Sequence, residues 1–125
     1  MEVTAIKERL LQLGYTATEA DDASISFAIR KVSDHIYNQC AITAIPEGLE
    51  PFAIDAVCGE FLGVLRTIGK LDETYNIEQG MSSIKVGDTS VNLDGKSRDE
   101  LIDYLVSSLT GGLEGEMLCF RKIRW

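Results

Sequence analysis

The sequence predicts a mainly α-helical protein: a small bundle of about four helices, one β-hairpin and an extended C-terminal tail. Three observations carry this expectation. Apolar residues recur at steps of three and four along most of the chain, the spacing that puts them on one face of a helix. One stretch, residues 83–93, alternates with period two instead. The last seven residues, Cys119-Phe120-Arg121-Lys122-Ile123-Arg124-Trp125, follow neither pattern.

The first helix is expected over residues 3–13, where Val3, Ile6, Leu10 and Leu13 form a stripe and Gly14 supplies a stop. Tyr15-Thr16-Ala17 reads as a linker. The second helix begins near Thr18, a capping oxygen ahead of Glu19, Asp21 and Asp22, whose charges suit the positive end of a helix dipole. Its stripe is Ile25, Ile29, Val32, Ile36 and Cys40. Phe27 and Tyr37 lie off that stripe, which predicts contact with more than one neighbour, a second helix or a second subunit.

Pro46 and Gly48 punctuate a loop over 41–49 whose isoleucines still pack on the core. Helix three opens at Glu50-Pro51, with proline in a first turn where its missing N–H costs nothing, and runs to Ile68 before Gly69. Its apolar residues cover most of its circumference, so it is expected at the centre. Val57, Phe61, Leu65 and Ile68 should be buried against Ile29, Val32, Ile36, Leu101 and Leu105. Gly59 and Gly63 each cost about 1 kcal/mol in a helix interior. Either another helix backbone approaches them closely, or they are tolerated surface glycines.

Residues 70–82 are polar and poorly periodic and read as a loop with at most one irregular turn. Ser83-Ile84-Lys85-Val86 and Thr89-Ser90-Val91-Asn92-Leu93 flank Gly87-Asp88, a pair suited to a tight primed turn, and read as a hairpin. A two-stranded ribbon is marginal alone and needs a helix face, a third strand or a partner. The last helix starts at Ser97, which forms a capping box with Glu100. Leu101, Leu105 and Leu109 form its stripe, widened by Ile102 and Val106, and Gly111-Gly112 are expected to end it.

With 125 residues the chain fits one domain, and its 45% hydrophobic and 26% charged residues are ordinary for a globular protein. No apolar run approaches the length a membrane span needs. The N-terminus carries no basic and apolar signal pattern, so cytoplasmic residence is the expectation. Cys40, Cys58 and Cys119 are widely spaced, form no C-x-x-C pair, and read as reduced thiols. The single His35 cannot complete a zinc site alone.

No nucleophile is placed beside His35, the carboxylates are scattered, and Gly111-Gly112-Leu113-Glu114-Gly115 lacks the order and the Lys-Ser/Thr of a phosphate loop. The expectation is therefore no enzyme, no catalytic residue, no cofactor and no metal.

Net charge is −8. Three of the 12 basic residues lie in 119–125, leaving 9 against 20 acidic residues in 1–118, a balance of −11. That body is unsuited to wrapping nucleic acid, although a carboxylate-lined ring would let DNA pass without sticking. The tail, with Phe120, Ile123 and Trp125 among Arg121, Lys122 and Arg124, has the composition that interfaces favour. It reads either as a last strand closing a small sheet or as a segment that docks on a neighbouring subunit or partner, and the two are compatible.

The order helix, helix, central helix, hairpin, helix, basic-aromatic tail resembles the small head–tail connector (adaptor) proteins of long-tailed bacteriophages and prophages, in the branch from Gram-positive hosts. The matching stretches are Ile45-Pro46-Glu47-Gly48-Leu49, Cys58-Gly59-Glu60-Phe61-Leu62, Ser83-Ile84-Lys85-Val86-Gly87-Asp88-Thr89, and Cys119-Phe120-Arg121-Lys122-Ile123-Arg124-Trp125. The acidic loop at Leu71–Gly80 departs from that pattern.

The resemblance implies a single connector-type domain over 1–125, with a helical bundle over 1–112 and a tail over 113–125. It also implies a homo-oligomeric ring, dodecameric in known relatives, beneath the portal protein. Such a ring extends the DNA channel and receives the next neck or tail-completion protein, in a virion or phage-like particle assembled in the bacterial cytoplasm. Ile84, Lys85, Val86, Gly87, Asp88 and Thr89 of the hairpin, with Phe120, Arg121, Ile123, Arg124 and Trp125 of the tail, are the expected interface residues. The competing expectation is a small acidic helical adaptor or regulator that binds a protein partner as a monomer or dimer. Stoichiometry separates the two, because a ring demands a heterologous interface on every subunit.

Overall fold

A computed structural model describes residues 1–40, 42–69, 71, 75, 79 and 98–117. Within them the protein is mainly helical, with four α-helices: α1 (Val3–Gln12), α2 (Asp22–Cys40), α3 (Glu50–Thr67) and α4 (Arg98–Met117). Short 3₁₀ turns, Glu19–Asp21 and Glu47–Leu49, lead into α2 and α3. The hairpin at 83–93 and the tail at 119–125 lie outside the described residues.

The first three helices begin and end where their local chemistry places them. Gly14, at φ +92°, closes α1: its N–H donates to Leu11 O at 3.1 Å and the Tyr15 N–H to Leu10 O at 2.9 Å. That pair of bonds satisfies carbonyls the helix leaves open, and only a residue at ease with positive φ makes it. Thr18 donates its N–H to Asp21 Oδ2 at 3.1 Å, and Tyr15 Oη donates to the same oxygen at 3.1 Å. Tyr15 is therefore more than linker: its ring meets Phe61 edge-on, with centroids 5.6 Å apart.

α3 is the hub. α1 packs across it through Ile6 and Leu10, and Arg9 Nε donates to Asp55 Oδ1 at 2.7 Å. α4 makes the most extensive contact with α3, running antiparallel to it, with Arg66 paired to Asp103. Gly59 explains how they come so close. A Cβ there would lie 2.8 Å from Thr110 Cγ2 and 2.9 Å from Leu109 Cβ. Of the two expected readings the close approach holds at Gly59; at Gly63 a Cβ would meet only Val106 Cγ1, at 3.5 Å.

Val57, Phe61, Leu65, Val32, Ile36 and Leu105 are buried as expected, and Ile29 and Leu101 are partly so. Ile68 is not: it is 57% exposed. It sits one residue past the end of α3, where none of the other described helices buries it. The full encirclement of α3 expected from its composition fails on that same side, where Val64 is also exposed.

α4 continues through Gly111-Gly112 to Met117. Ile102, Leu105, Leu109, Leu113 and Met117 are all buried, so the stripe runs unbroken past the glycines, and its burial outweighs their poor helix propensity. Tyr75 and Gln79, described residues beyond α3, also bond to the bundle. Tyr75 is buried and its Oη donates to Leu13 O at 2.8 Å, while Gln79 Nε2 donates to Leu11 O and Gln12 O. These two side chains satisfy carbonyls at the end of α1. No described helix is long and apolar enough to cross a membrane.

Candidate docking groove

α2 and α4 flank α3 and meet each other at their C-terminal ends. There Cys40 Sγ lies 3.7 Å from Met117 O, and His35 Nε2 lies 2.7 Å from Glu114 Oε1. Beside that junction the two helices leave part of α3 uncovered between them. Over Ala56 and Glu60 opens a groove of about 540 Å³, walled by α2 residues from Phe27 to Asn38 and by Thr110, Leu113 and Glu114 of α4. A shallower recess of about 350 Å³ continues from Glu60 along Gly63, Val64, Thr67 and Ile68, with Val106 opposite.

Because both depressions include Glu60, they form one strip along the open side of α3. It carries three of the protein's exposed large apolar side chains: Phe27 at 69%, Ile68 at 57% and Val64 at 46% exposure. An exposed apolar side chain on its own is ordinary, but several sharing one concave strip make that strip the candidate interaction surface.

Charged groups rim the strip. Lys31 Nζ pairs with Glu60 Oε1 at 2.6 Å, and Arg30 reaches Asp34 only at 3.9 Å. The side chains of Asp34 and Glu114 are 61% and 64% exposed, and each carboxylate has acceptor capacity beyond its one partner. Exposed pairs of this kind are individually worth little to the fold, so exchanging their partners costs little too.

Two of the three cysteines lie among the described residues. Cys40 and Cys58 are free and buried. Burial pushes the Cys58 thiol up to about 12, with the Asp55 carboxylate adding to the effect, so it stays protonated and unreactive at neutral pH. Among the described residues no group of three or more His, Cys, Asp or Glu side chains is placed to hold a metal ion. His35 serves as a link between α2 and α4.

All of the interface residues expected from the sequence, Ile84, Lys85, Val86, Gly87, Asp88, Thr89, Phe120, Arg121, Ile123, Arg124 and Trp125, lie outside the described residues. The open strip beside α3 was not among those expectations. Its one advance signal was Phe27, which falls off the apolar stripe of α2. No protein-family model matches this chain, and no curated protein or solved structure is significantly similar to it.

Proposed function

We propose that the protein is a non-enzymatic structural subunit of a phage or phage-like particle neck, a head–tail connector that assembles into a ring under the portal and extends the DNA channel toward the tail. The observation that carries this reading is the uncovered strip of α3, which leaves Phe27, Val64 and Ile68 in water on an otherwise well-packed bundle. A ring subunit must present two different complementary surfaces, one for each neighbour. The strip is one such surface, concave and apolar, with the carboxylates of Asp34, Glu60 and Glu114 beside the cations Arg30 and Lys31 on its rim. The segment 119–125 holds apolar residues and cations and no acid, anchors for such a trough and donors for its carboxylates.

The resemblance of the four sequence stretches supplies the particle context: a homo-oligomer, dodecameric in relatives, bound to the portal and to the next neck protein, in a neck assembled in the host cytoplasm. The −11 balance of residues 1–118 suits a channel that DNA traverses without binding. The hairpin at 83–93 is assigned to subunit or channel contacts. Replacing Gly87-Asp88 by two valines should therefore weaken assembly while leaving the helical circular dichroism signal intact.

Mass photometry and negative-stain imaging of the purified chain, with and without the portal protein of its particle, test the reading. Closed rings or portal-bound rings are the expected result. A monomer or dimer under both conditions overturns it and favours the small acidic adaptor.

A further inference from the structure

We infer that the strip between α2 and α4 is the receptor for the C-terminal segment Phe120–Trp125 of a second copy of this chain. The inference rests on the ring reading for its biological setting, and on the shape and chemistry of the strip for its substance.

The first argument is chemical fit. The segment alternates apolar residues (Phe120, Ile123, Trp125) with cations (Arg121, Lys122, Arg124) and contains no acid. The strip offers an apolar trough whose rim carries three carboxylates, Asp34, Glu60 and Glu114, beside two cations, Arg30 and Lys31, in exposed pairs that an incoming guanidinium can exchange. Its floor is Ala56, Leu113 and Val106, its open end exposes Phe27 and Val64, and its rim holds the accessible carboxylates of Asp34 and Glu114. Aromatic side chains in such a trough provide the buried anchors. The guanidinium groups reach the rim carboxylates in charge-assisted hydrogen bonds.

Length agrees as well. From Ala56 to Ile68 α3 rises about 18 Å, and the six residues 120–125 span about 20 Å when extended. Six extended residues therefore match the strip in length.

Chain direction favours a second copy over the chain's own end. α4 runs antiparallel to α3, and its last described residue, Met117, sits beside Cys40 at the closed junction of α2 and α4. The helix therefore points out of the bundle at the end away from Val64 and Ile68. A neighbour's segment can enter the strip without reversing direction. Donation from each subunit to the next is also a head-to-tail contact, the kind that closes rings.

The test uses the full chain with p-benzoylphenylalanine in place of Trp125, mixed with an isotopically heavy unsubstituted copy and irradiated. Mass spectrometry then reads both the attachment point and whether the bridge joins light to heavy chains. The expected product is a light–heavy bridge to the region of Phe27, Lys31 or Val64. Phe27→Glu in the heavy copy, an exposed position, should lower its yield about tenfold, the effect of losing a central aromatic contact. Circular dichroism of that variant should be unchanged.

Bridges within one chain, bridges elsewhere on the body, or no bridge overturn the inference. So does a yield insensitive both to Phe27→Glu and to Val64→Glu. Sizing the same samples separates this outcome from failure of the ring reading. Rings that persist with the strip unlabelled sink the groove assignment alone, whereas a monomer or dimer, with or without portal, sinks the ring.

Discussion

At the scale of single residues, two glycines in contacting helices make opposite demands. At Gly59 a methyl group would press on Thr110 Cγ2 and Leu109 Cβ at under 3 Å. At Gly111 it would meet nothing within 4 Å. Alanine favours helix by about 1 kcal/mol at either position. Gly59→Ala must set that gain against overpacking worth about 1–3 kcal/mol, so it should destabilise the protein. Gly111→Ala has no such debit and should stabilise it by up to about 1 kcal/mol. Urea unfolding of the two variants checks the sign of each. Equal signs would mean that α3 and α4 are not seated as described.

Cys58 gives a pH dependence at the same scale. Its thiol is raised from the ordinary value of 9.0 to about 12 by burial, with Asp55 contributing. The unfolded chain therefore loses this proton first as pH rises. The stabilisation is complete below pH 9 and is lost progressively as pH approaches 12. Stability measured across that window should fall less steeply for Cys58→Ala than for the parent chain. In the native protein at pH 8, iodoacetamide should leave Cys58 unmodified.

At the scale of elements, three boundaries of the first three helices were far more legible than the end of α4. Thr18 with Asp21, Pro51 in a first turn and Gly14 after α1 act through bonds and sterics within a few residues, so the local sequence contains the whole cause. The continuation of α4 past Gly111-Gly112 has a non-local cause. Leu113 and Met117 are buried against other elements, and no window of a few residues reports that. The burial of Tyr75 under α1, in a stretch that reads as polar loop, belongs to the same class. Leu113→Ala should cost about 2–5 kcal/mol. It should also release the glycine-rich last turns first, so hydrogen exchange ought to accelerate more at 111–117 than at 101–110. Uniform acceleration along α4 would show that those turns are not held by this side chain.

Composition blurred the site for a related reason. A helix apolar nearly all round looks the same whether every side is packed or one side is left for a partner. α2 and α4 leave one side of α3 open, and Val64 and Ile68 became distinguishable from core only once the positions of those two helices were known. Phe27 was the exception, since its position off the α2 stripe is visible in sequence spacing alone.

At the scale of the whole molecule, charge separation decides the last prediction. Residues 1–118 carry −11 and residues 119–125 carry +3. Every helix that forms the described core ends by Met117, and Met117 itself is buried, so the bundle is packed before the basic segment begins. A chain stopped after Met117 should therefore keep its helical circular dichroism and most of its thermal stability while failing to assemble. In the full chain, assembly should weaken as ionic strength rises from about 0.05 to 0.5 M, because screening shortens the reach of the attraction between segment and body. It should not vanish, because Phe120 and Trp125 contribute apolar burial that salt does not screen. Sizing both chains across a salt series makes the comparison. A truncated chain that melts far lower and loses helix signal identifies the segment as an internal strand of its own fold. One that assembles as well as the parent shows that the segment takes no part in assembly.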